Sequence, residues 1–288
     1  DPALQELRRE VERETGIPAA LTDTIIGALK GADHLGSLLK IDSAVDQALE
    51  KMEGQLGKLK PTQADLFTGR PARQRLLTMS ADAAKESLLE RLEGFLSKHT
   101  SGDDLGLRLR GEQLAAGVRF LRLMKEGTYD LVVANPPYQG TSKMADAKYI
   151  EKQYPLGKAD LYAAFLLRGL ELVREGGVSA MLTMRNWMFI KQYAGLREWL
   201  LENFDLRALG DFDKGAFETM TTSQLISVCL CVVRNSGANP GTVALQPTAP
   251  GEKYWSRDRT ELKRAAVLCQ RGRFEFDTAA LKVVPEWP

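Results

Sequence analysis

Asn135-Pro136-Pro137-Tyr138, arriving directly after the apolar run Tyr129-Asp130-Leu131-Val132-Val133-Ala134, is the stretch of this sequence best equipped for chemistry. Each proline fixes φ near about −65° and donates no backbone hydrogen bond, so the carbonyls before and between them are left to accept. The Asn135 side chain adds a carbonyl acceptor beside that of Pro136. Two convergent acceptors can hold both hydrogens of a planar amino group, and the Tyr138 ring offers a face on which a base can stack, worth about 1–3 kcal/mol in single-strand binders. An amine gripped in this way turns its lone pair outward, toward an electrophile held in line. The same four residues would also serve as a tight turn ending a core strand, because Asn-Pro and Pro-Pro are ordinary loop punctuation.

The elements around the motif are read from periodicity. The run 129–134 predicts a buried strand, and open α/β sheets bind ligands at the carboxyl ends of such strands. Gln139 to Lys158 is polar and without a sustained period, which predicts a lid over the pocket, with Lys143, Lys148 and Lys152 as phosphate contacts. An amphipathic helix over Leu161 to Val173 and a buried strand over Val178 to Met184 follow, joined through Gly176-Gly177 read as a C-terminal helix cap. Arg185-Asn186-Trp187 then falls on the same sheet edge as Asn135, where Trp187 either packs beside a substrate base or plugs the sheet. Beyond it the pattern predicts a helix over Gly195 to Asn203, a strand over Leu206 to Leu209 and a β-rich run over Gln224 to Val233. Phe212 and Phe217 lie between the last two, and Phe217 is either a wall of the base pocket or a core residue.

Ahead of the motif, Pro2 to Leu29 has helical spacing with Thr22 or Asp23 as a cap, and Ser37-Leu38-Leu39-Lys40-Ile41 predicts a short strand. Ser43 to Leu56, Pro71 to Lys98 and Gly111 to Lys125 read as helices, with a loop from Lys60 to Pro71. That block is too long for an ordinary connection and predicts a helical insertion packed as a hairpin.

Asp130-Leu131-Val132-Val133-Ala134-Asn135-Pro136-Pro137-Tyr138 resembles the catalytic strand and loop of amino-methyltransferases that use S-adenosylmethionine. Gly31 to Leu38, Gly157 to Phe165 and Gly176 to Trp187 narrow the resemblance to the large adenine-specific DNA methyltransferases of BREX phage-exclusion systems, called PglX. The resemblance implies an α/β fold, a partial Rossmann-like class I methyltransferase sheet with a helical insertion. It implies N-terminal helices and a first core strand over 1–42, the insertion over 43–127, the catalytic core over 128–235, and over 236–288 the start of a region leading to target recognition. S-adenosyl-L-methionine is the implied cofactor, with Asp33 as an acid contacting it. The implied reaction is base flipping in double-stranded DNA and methyl transfer to adenine N6, with Asn135, Pro136, Pro137 and Tyr138 as catalytic residues and Trp187, Lys143 and Phe217 as substrate contacts. Other proteins of the defence system are implied partners. A glycine-rich Asp-Pro-x-x-Gly-x-Gly turn, expected ahead of the catalytic loop in such enzymes, does not occur before Asn135. With Asp1 at the start and charged sequence running to Pro288, the chain reads as a piece of a longer protein.

Composition sets bounds. At 288 residues, 44% hydrophobic and 27% charged, the chain can bury a sizeable core. It has no apolar stretch approaching about 18 residues and no leader, so a cytoplasmic protein with no membrane span is expected. Cys229, Cys231 and Cys269 with two histidines do not make a metal site, and all three read as core thiols. A net charge of +1 is low for a nucleic-acid protein. Local basic clusters remain at Arg70, Arg73 and Arg75, at Arg108 and Arg110, and at Arg257, Arg259, Lys263 and Arg264, each read as a solvated helix face or a phosphate track, with the last, beside Tyr254 and Trp255, the best candidate for a DNA-facing surface. The alternatives are an amino-methyltransferase acting on RNA guanine or a protein glutamine, and a non-catalytic scaffold in a defence complex.

Overall fold

A computed structural model describes residues 2–15, 17–28, 35–40, 86, 89–95, 116–120, 123–217, 226–247 and 257–283. The chain divides into two compact units, Asp1–Lys125 and Glu126–Pro288.

In the first unit, α1 (Pro2–Thr15) and α2 (Ala19–Ala28) form as their spacing requires. Thr22 is not the cap of the second helix. It lies inside α2, buried, with its hydroxyl turned back to the Pro18 carbonyl at 3.5 Å, the usual fate of a threonine within a helix. Gly36–Leu38 is a 3-10 turn where a strand over Ser37–Ile41 is expected. Gly36 takes a left-handed φ of +50°, and Leu39 N then closes on the Gly36 carbonyl at 3.2 Å, so local bonding displaces extension. Helical segments at 89–95 and 116–120 are joined by Arg119–Glu93 at 2.6 Å, and Lys125–Glu86 at 2.8 Å adds a second tie. As one number rises the other falls, so the two segments run antiparallel. The helix expected over Ser43 to Leu56 and the loop over Lys60 to Pro71 lie outside the described residues, as does most of that over Pro71 to Lys98.

The second unit is built on β1 (Tyr129–Ala134), α3 (Ala147–Gln153), α4 (Leu161–Leu172), β2 (Val173–Met184), α5 (Ala194–Asn203), β3 (Asp205–Asp213), β4 (Val228–Arg234), β5 (Gly241–Leu245), α6 (Arg257–Leu268) and β6 (Arg273–Asp277). The strands form one six-stranded sheet in the order β1-β2-β4-β3-β5-β6. β1 and β2 are parallel, β4 runs antiparallel between β2 and β3, β5 is parallel to β3, and β6 closes the far edge antiparallel to β5. The fold is α/β, and the residues after 235 continue the sheet through β5 and β6.

Alternation decides the core. Ser179, Met181 and Thr183 on β2 are buried, and their register partners on β4 are Val233, Cys231 and Cys229, also buried, so one stripe crosses both strands. α4 buries nearly its whole length and crosses between the parallel strands β1 and β2. Its Arg168 is 1% exposed and bonds to the carboxylates of Glu126 and Glu171. Gly127 N and Thr128 N donate to the carbonyls of Glu171 and Leu172 at 2.9 and 3.1 Å, so the end of α4 holds the start of β1.

Gly176-Gly177 is not a helix cap. α4 ends at Leu172 with Val173 extended, and the two glycines lie within β2, where the pairing with β1 jumps from Tyr129↔Val173 to Leu131↔Val178. Gly177 is needed for close approach: a Cβ there would stand 2.8 Å from the Tyr129 carbonyl oxygen and 2.9 Å from that of Arg174. Gly177→Ala is therefore expected to lower stability by about 1–3 kcal/mol, read as a lower urea midpoint at unchanged slope.

Candidate active site

β1 delivers Asn135 to the carboxyl edge of the sheet. Asn135 and Pro137 are exposed, Pro136 is buried and Tyr138 is half-buried, so the corner is anchored by one proline and presents its amide outward. Tyr138 Oη donates to Asn135 Oδ1 at 3.0 Å and lies 3.4 Å from the Leu182 carbonyl. A hydroxyl has one proton, so the shorter contact is the main bond and fixes the amide oxygen as acceptor. Oδ1 keeps a second lone pair for another donor. Burial, with the Cys229 thiol nearby, pushes the Tyr138 phenol above its ordinary range, so it is neutral near pH 7. Its ring stands edge-on to Tyr162 at 6.4 Å and 78°, and Tyr162 tilts against Tyr193 at 6.0 Å.

The residue after the motif is tied down by Asp160, which sequence reading did not single out as a site residue. Asp160 Oδ1 accepts from Gln139 N at 3.1 Å and from Tyr162 N at 3.4 Å, so one carboxylate caps α4 and holds the exit from Tyr138. Leu161 N donates to the Gln139 carbonyl at 2.9 Å, and Gly140 and Asp160 form an antiparallel bridge. Its signal in the sequence was an Asp one residue ahead of a helical run.

The segment from Gln139 to Lys158 is not the unstructured lid its composition predicts. It holds a 3-10 turn (Thr141–Lys143), α3 and a second 3-10 turn (Pro155–Gly157), with Ile150 and Tyr154 buried. One buried side chain in so short a helix, Ile150, with Tyr154 at its C-cap, leaves no period to read. Lys143 and Lys148 are exposed on it, and Lys152 is exposed in the last turn of α3.

Trp187 is placed in the core. It is 4% exposed, and its Nε1 donates to Thr183 Oγ1 at 3.1 Å, with Cys229 Sγ at 3.2 Å. The indole therefore plugs the sheet under the site, and its face is closed to a base. Beside it, Arg185 bridges Asp211 at 2.8 Å and Asp213 at 2.9 Å, tying the ends of β2 and β3.

Phe217 lines a cleft of about 550 Å³ with Leu182, Phe212, Thr260, Lys263 and Leu268, within the ~300–1,000 Å³ usual for small-molecule sites. Leu182 links it to the motif, since its carbonyl faces the Tyr138 hydroxyl. α6 forms the opposite wall. Lys263 is 6% exposed and donates to the carbonyls of Phe212 and Lys214, and Thr260 Oγ1 donates to that of Gly215 at 3.1 Å. Lys263 is thus a clamp on the turn after β3 and leaves the surface cluster, while Arg264 is paired with Glu261 at 3.6 Å. Asp33, Tyr254, Trp255, Arg70, Arg73, Arg75, Arg108 and Arg110 lie outside the described residues.

A parallel strand thus ends in an exposed asparagine whose amide oxygen is held by a half-buried tyrosine, with a cleft adjoining. Residues 68–217, more than half of the chain, match the Eco57I restriction-modification methylase family, and the chain belongs to that family. It is 36% identical over 110 residues to the adenine-specific methyltransferase BrxX of Escherichia coli O9:H4 (strain HS), covering 38% of this chain and 9% of that protein. It is also 36% identical over 104 residues to the adenine-specific methyltransferase PglX of Lacticaseibacillus casei (strain Zhang), covering 34% of this chain and 9% of that protein. The chain thus matches a small share of the length of these relatives. Among solved structures, it is similar to the methyltransferase subunit of a type I restriction-modification system from Streptococcus thermophilus at 16% identity and a TM-score of 0.39, covering 54% of this chain and 36% of that one.

Cys229 and Cys231 are buried and Cys269 is exposed, so the expectation of three core thiols holds for two. Burial pushes the Cys229 thiol up to about 11 and Cys231 higher still, which keeps both protonated and unreactive near pH 8. Iodoacetamide at pH 8 is expected to label Cys269 alone in the native chain and all three in guanidinium, read by peptide mass. Asp160→Ala should cost about 1 kcal/mol through the lost cap, and should also increase Tyr138 solvent quenching, which loss of a cap elsewhere would leave unchanged.

Proposed function

We propose that this chain carries the catalytic corner of an S-adenosylmethionine-dependent enzyme that methylates adenine N6 in double-stranded DNA, in a phage-defence modification system of the BREX type. The observation that carries the reading is the exposed Asn135 amide, its oxygen fixed by the Tyr138 hydroxyl at 3.0 Å, at the carboxyl end of a parallel strand and beside a cleft. Family membership and the 36% identity to two adenine-specific methyltransferases support it.

In this reading the target adenine leaves the duplex, which costs a few kcal/mol in lost pairing and stacking. The Tyr138 ring stacks on the flipped base, and Asn135 Oδ1 with the Pro136 carbonyl accepts the two N6 hydrogens. Phe217 walls the cleft, and Lys143 contacts backbone phosphate. Trp187 supports the floor from beneath. As bonding develops at N6 the nitrogen gains positive charge, and the nearby carbonyl oxygens stabilise it electrostatically. No strong general base is required.

S-adenosylmethionine supplies an electrophilic methyl group. The donor set at the corner fits it: neutral carbonyls and a phenol held neutral by burial leave a nucleophilic amine unprotonated and bring no competing nucleophile to the sulfonium. Asp33 is the residue of this chain assigned to contact it. Residues 1–42, 43–127 and 128–235 are assigned as the N-terminal part of the core, a helical insertion and the catalytic core, and 236–288 as the beginning of the path to target recognition. No helix among the described residues is long and apolar enough to cross a membrane, and the reading puts the protein with DNA in the cytoplasm, alongside other proteins of the defence system.

In the full-length protein, Asn135→Ala should reduce N6-methyladenine in host DNA by about 100-fold or more with an unchanged circular dichroism spectrum. Tyr138→Phe, which keeps the stacking face, should lose less than Tyr138→Ala. N6-methyladenine at the wild-type level in the Asn135→Ala strain, read by modification-sensitive sequencing, would reject the assignment.

A further inference from the structure

Phe189 is 62% exposed and Ile190 41% exposed, at the tip of the turn that follows β2. Large apolar side chains that are merely tolerated at a surface need no support, yet this turn is heavily braced. The 3-10 turn Arg185–Met188 leads into it, and the amides of Phe189 and Ile190 both donate to the Asn186 carbonyl, at 3.1 and 2.9 Å. Arg197, 4% exposed, uses one guanidinium nitrogen to bind the carbonyls on either side of Phe189, Trp187 O at 2.7 Å and Ile190 O at 2.9 Å. Buried Trp187 anchors the base of the turn through Thr183. The Arg185 guanidinium lies against one face of the Phe189 ring at 4.8 Å, itself held by Asp211 and Asp213. A buried charged side chain committed to fixing both flanking carbonyls makes Phe189 a rigid post with one ring face backed.

The post follows the strand that pairs with β1, past the same sheet edge as the motif. β1 and β2 are parallel, and Ala134 is level with Met181, so β2 continues for three residues past the end of β1, a rise of roughly 10 Å. Met184 leads straight into the turn, and Lys191, exposed, follows its tip. An apolar wedge next to a base pocket, with a cation beside it, is the equipment with which proteins unstack a base step from the groove.

We infer that Phe189 is a wedge that enters the DNA stack beside the target adenine, filling the space the flipped base leaves and holding the duplex open while the base occupies the Asn135–Tyr138 corner. This deepens the reading above and rests on it. The partner is duplex DNA, and what Phe189 meets is the stacking face of a base, independent of sequence. Its preorganisation matters because the ordering of side chain and loop is already complete before DNA arrives.

The test uses full-length protein and two oligonucleotides carrying the site that methylome sequencing of the wild-type strain defines. One is a normal duplex, and the other has an abasic residue opposite the target adenine, which is then unpaired. Phe189→Ala should lower kcat/KM on the duplex by about tenfold or more, fall within about threefold of wild type on the abasic substrate, and lose the 2-aminopurine fluorescence rise that wild-type binding gives at the target position. Phe189→Trp should retain most of both. Equal rates for wild type and Phe189→Ala on the duplex overturn the wedge. Equal losses on both substrates overturn it as well, assigning Phe189 a role in folding or, if the sedimentation coefficient changes with it, in contact with another protein. Wild-type protein that methylates adenine in neither substrate overturns the underlying reading instead, a result the variants cannot produce.

Discussion

One carboxylate keeps the Asn135–Tyr138 corner from being an ordinary turn. Asp160 Oδ1 accepts from Gln139 N, directly after Tyr138, and from Tyr162 N in the first turn of α4. Tyr162 in turn presents its edge to the Tyr138 ring. The chain leaving the motif, the helix that crosses back to β2 and the aromatic support of Tyr138 are thereby referred to a single atom. Burial raises the affinity of this carboxyl for its proton, and the backbone donors from Tyr162, Gln139 and Leu161 oppose the shift, so bonding offsets part of the cost of placing an acid there.

The second constraint is that two strands end together. β1 and β2 are locked in parallel register, and the missing side chain of Gly177 lets their backbones close. β4 enters antiparallel and ties β2 to β3, while Arg185 joins the ends of β2 and β3 through Asp211 and Asp213. Beneath this edge the Thr183, Trp187 and Cys229 contacts fill the floor with small dipoles and no net charge. The amide of Asn135, the cleft lined by Phe217 and the Phe189 turn are consequences of the same edge.

Charge is spent locally rather than spread over a face. The net charge is +1; Lys263, from the cluster that looked available for phosphate, is engaged on two carbonyls, and Arg168 and Arg197 are likewise engaged, on two carboxylates and on the Phe189 turn. In the proposed reading the grip on DNA around the site depends on stacking and on scattered lysines such as Lys143 and Lys191, and salt would weaken it less than it weakens a binder with a continuous basic track.

Short-range physics made much of this legible in the sequence. An apolar run closed by prolines is a strand with a rigid end, and β1 with its motif follows, but it forms the sheet edge with Leu131 56% and Val133 70% exposed and is not the buried strand the run predicts; α4, α5 and β3 follow from period and punctuation, although β3 runs on to Asp213, beyond Leu209. What depended on partners far along the chain was decided only by the tertiary structure. The place of β4 between β2 and β3, and the extension of the sheet by β5 and β6, are set by pairing that local propensity does not encode. Gly177 has meaning only against the Tyr129 carbonyl, Lys263 turns inward only because the turn after β3 offers it carbonyls, and Trp187 plugs the sheet because Thr183 lies at the end of β2 four residues before it with Cys229 opposite. Residue types carried the chemistry of the corner, whereas its aim, its support and the post beside it came from long-range packing, which places side chains by what surrounds them rather than by what precedes them.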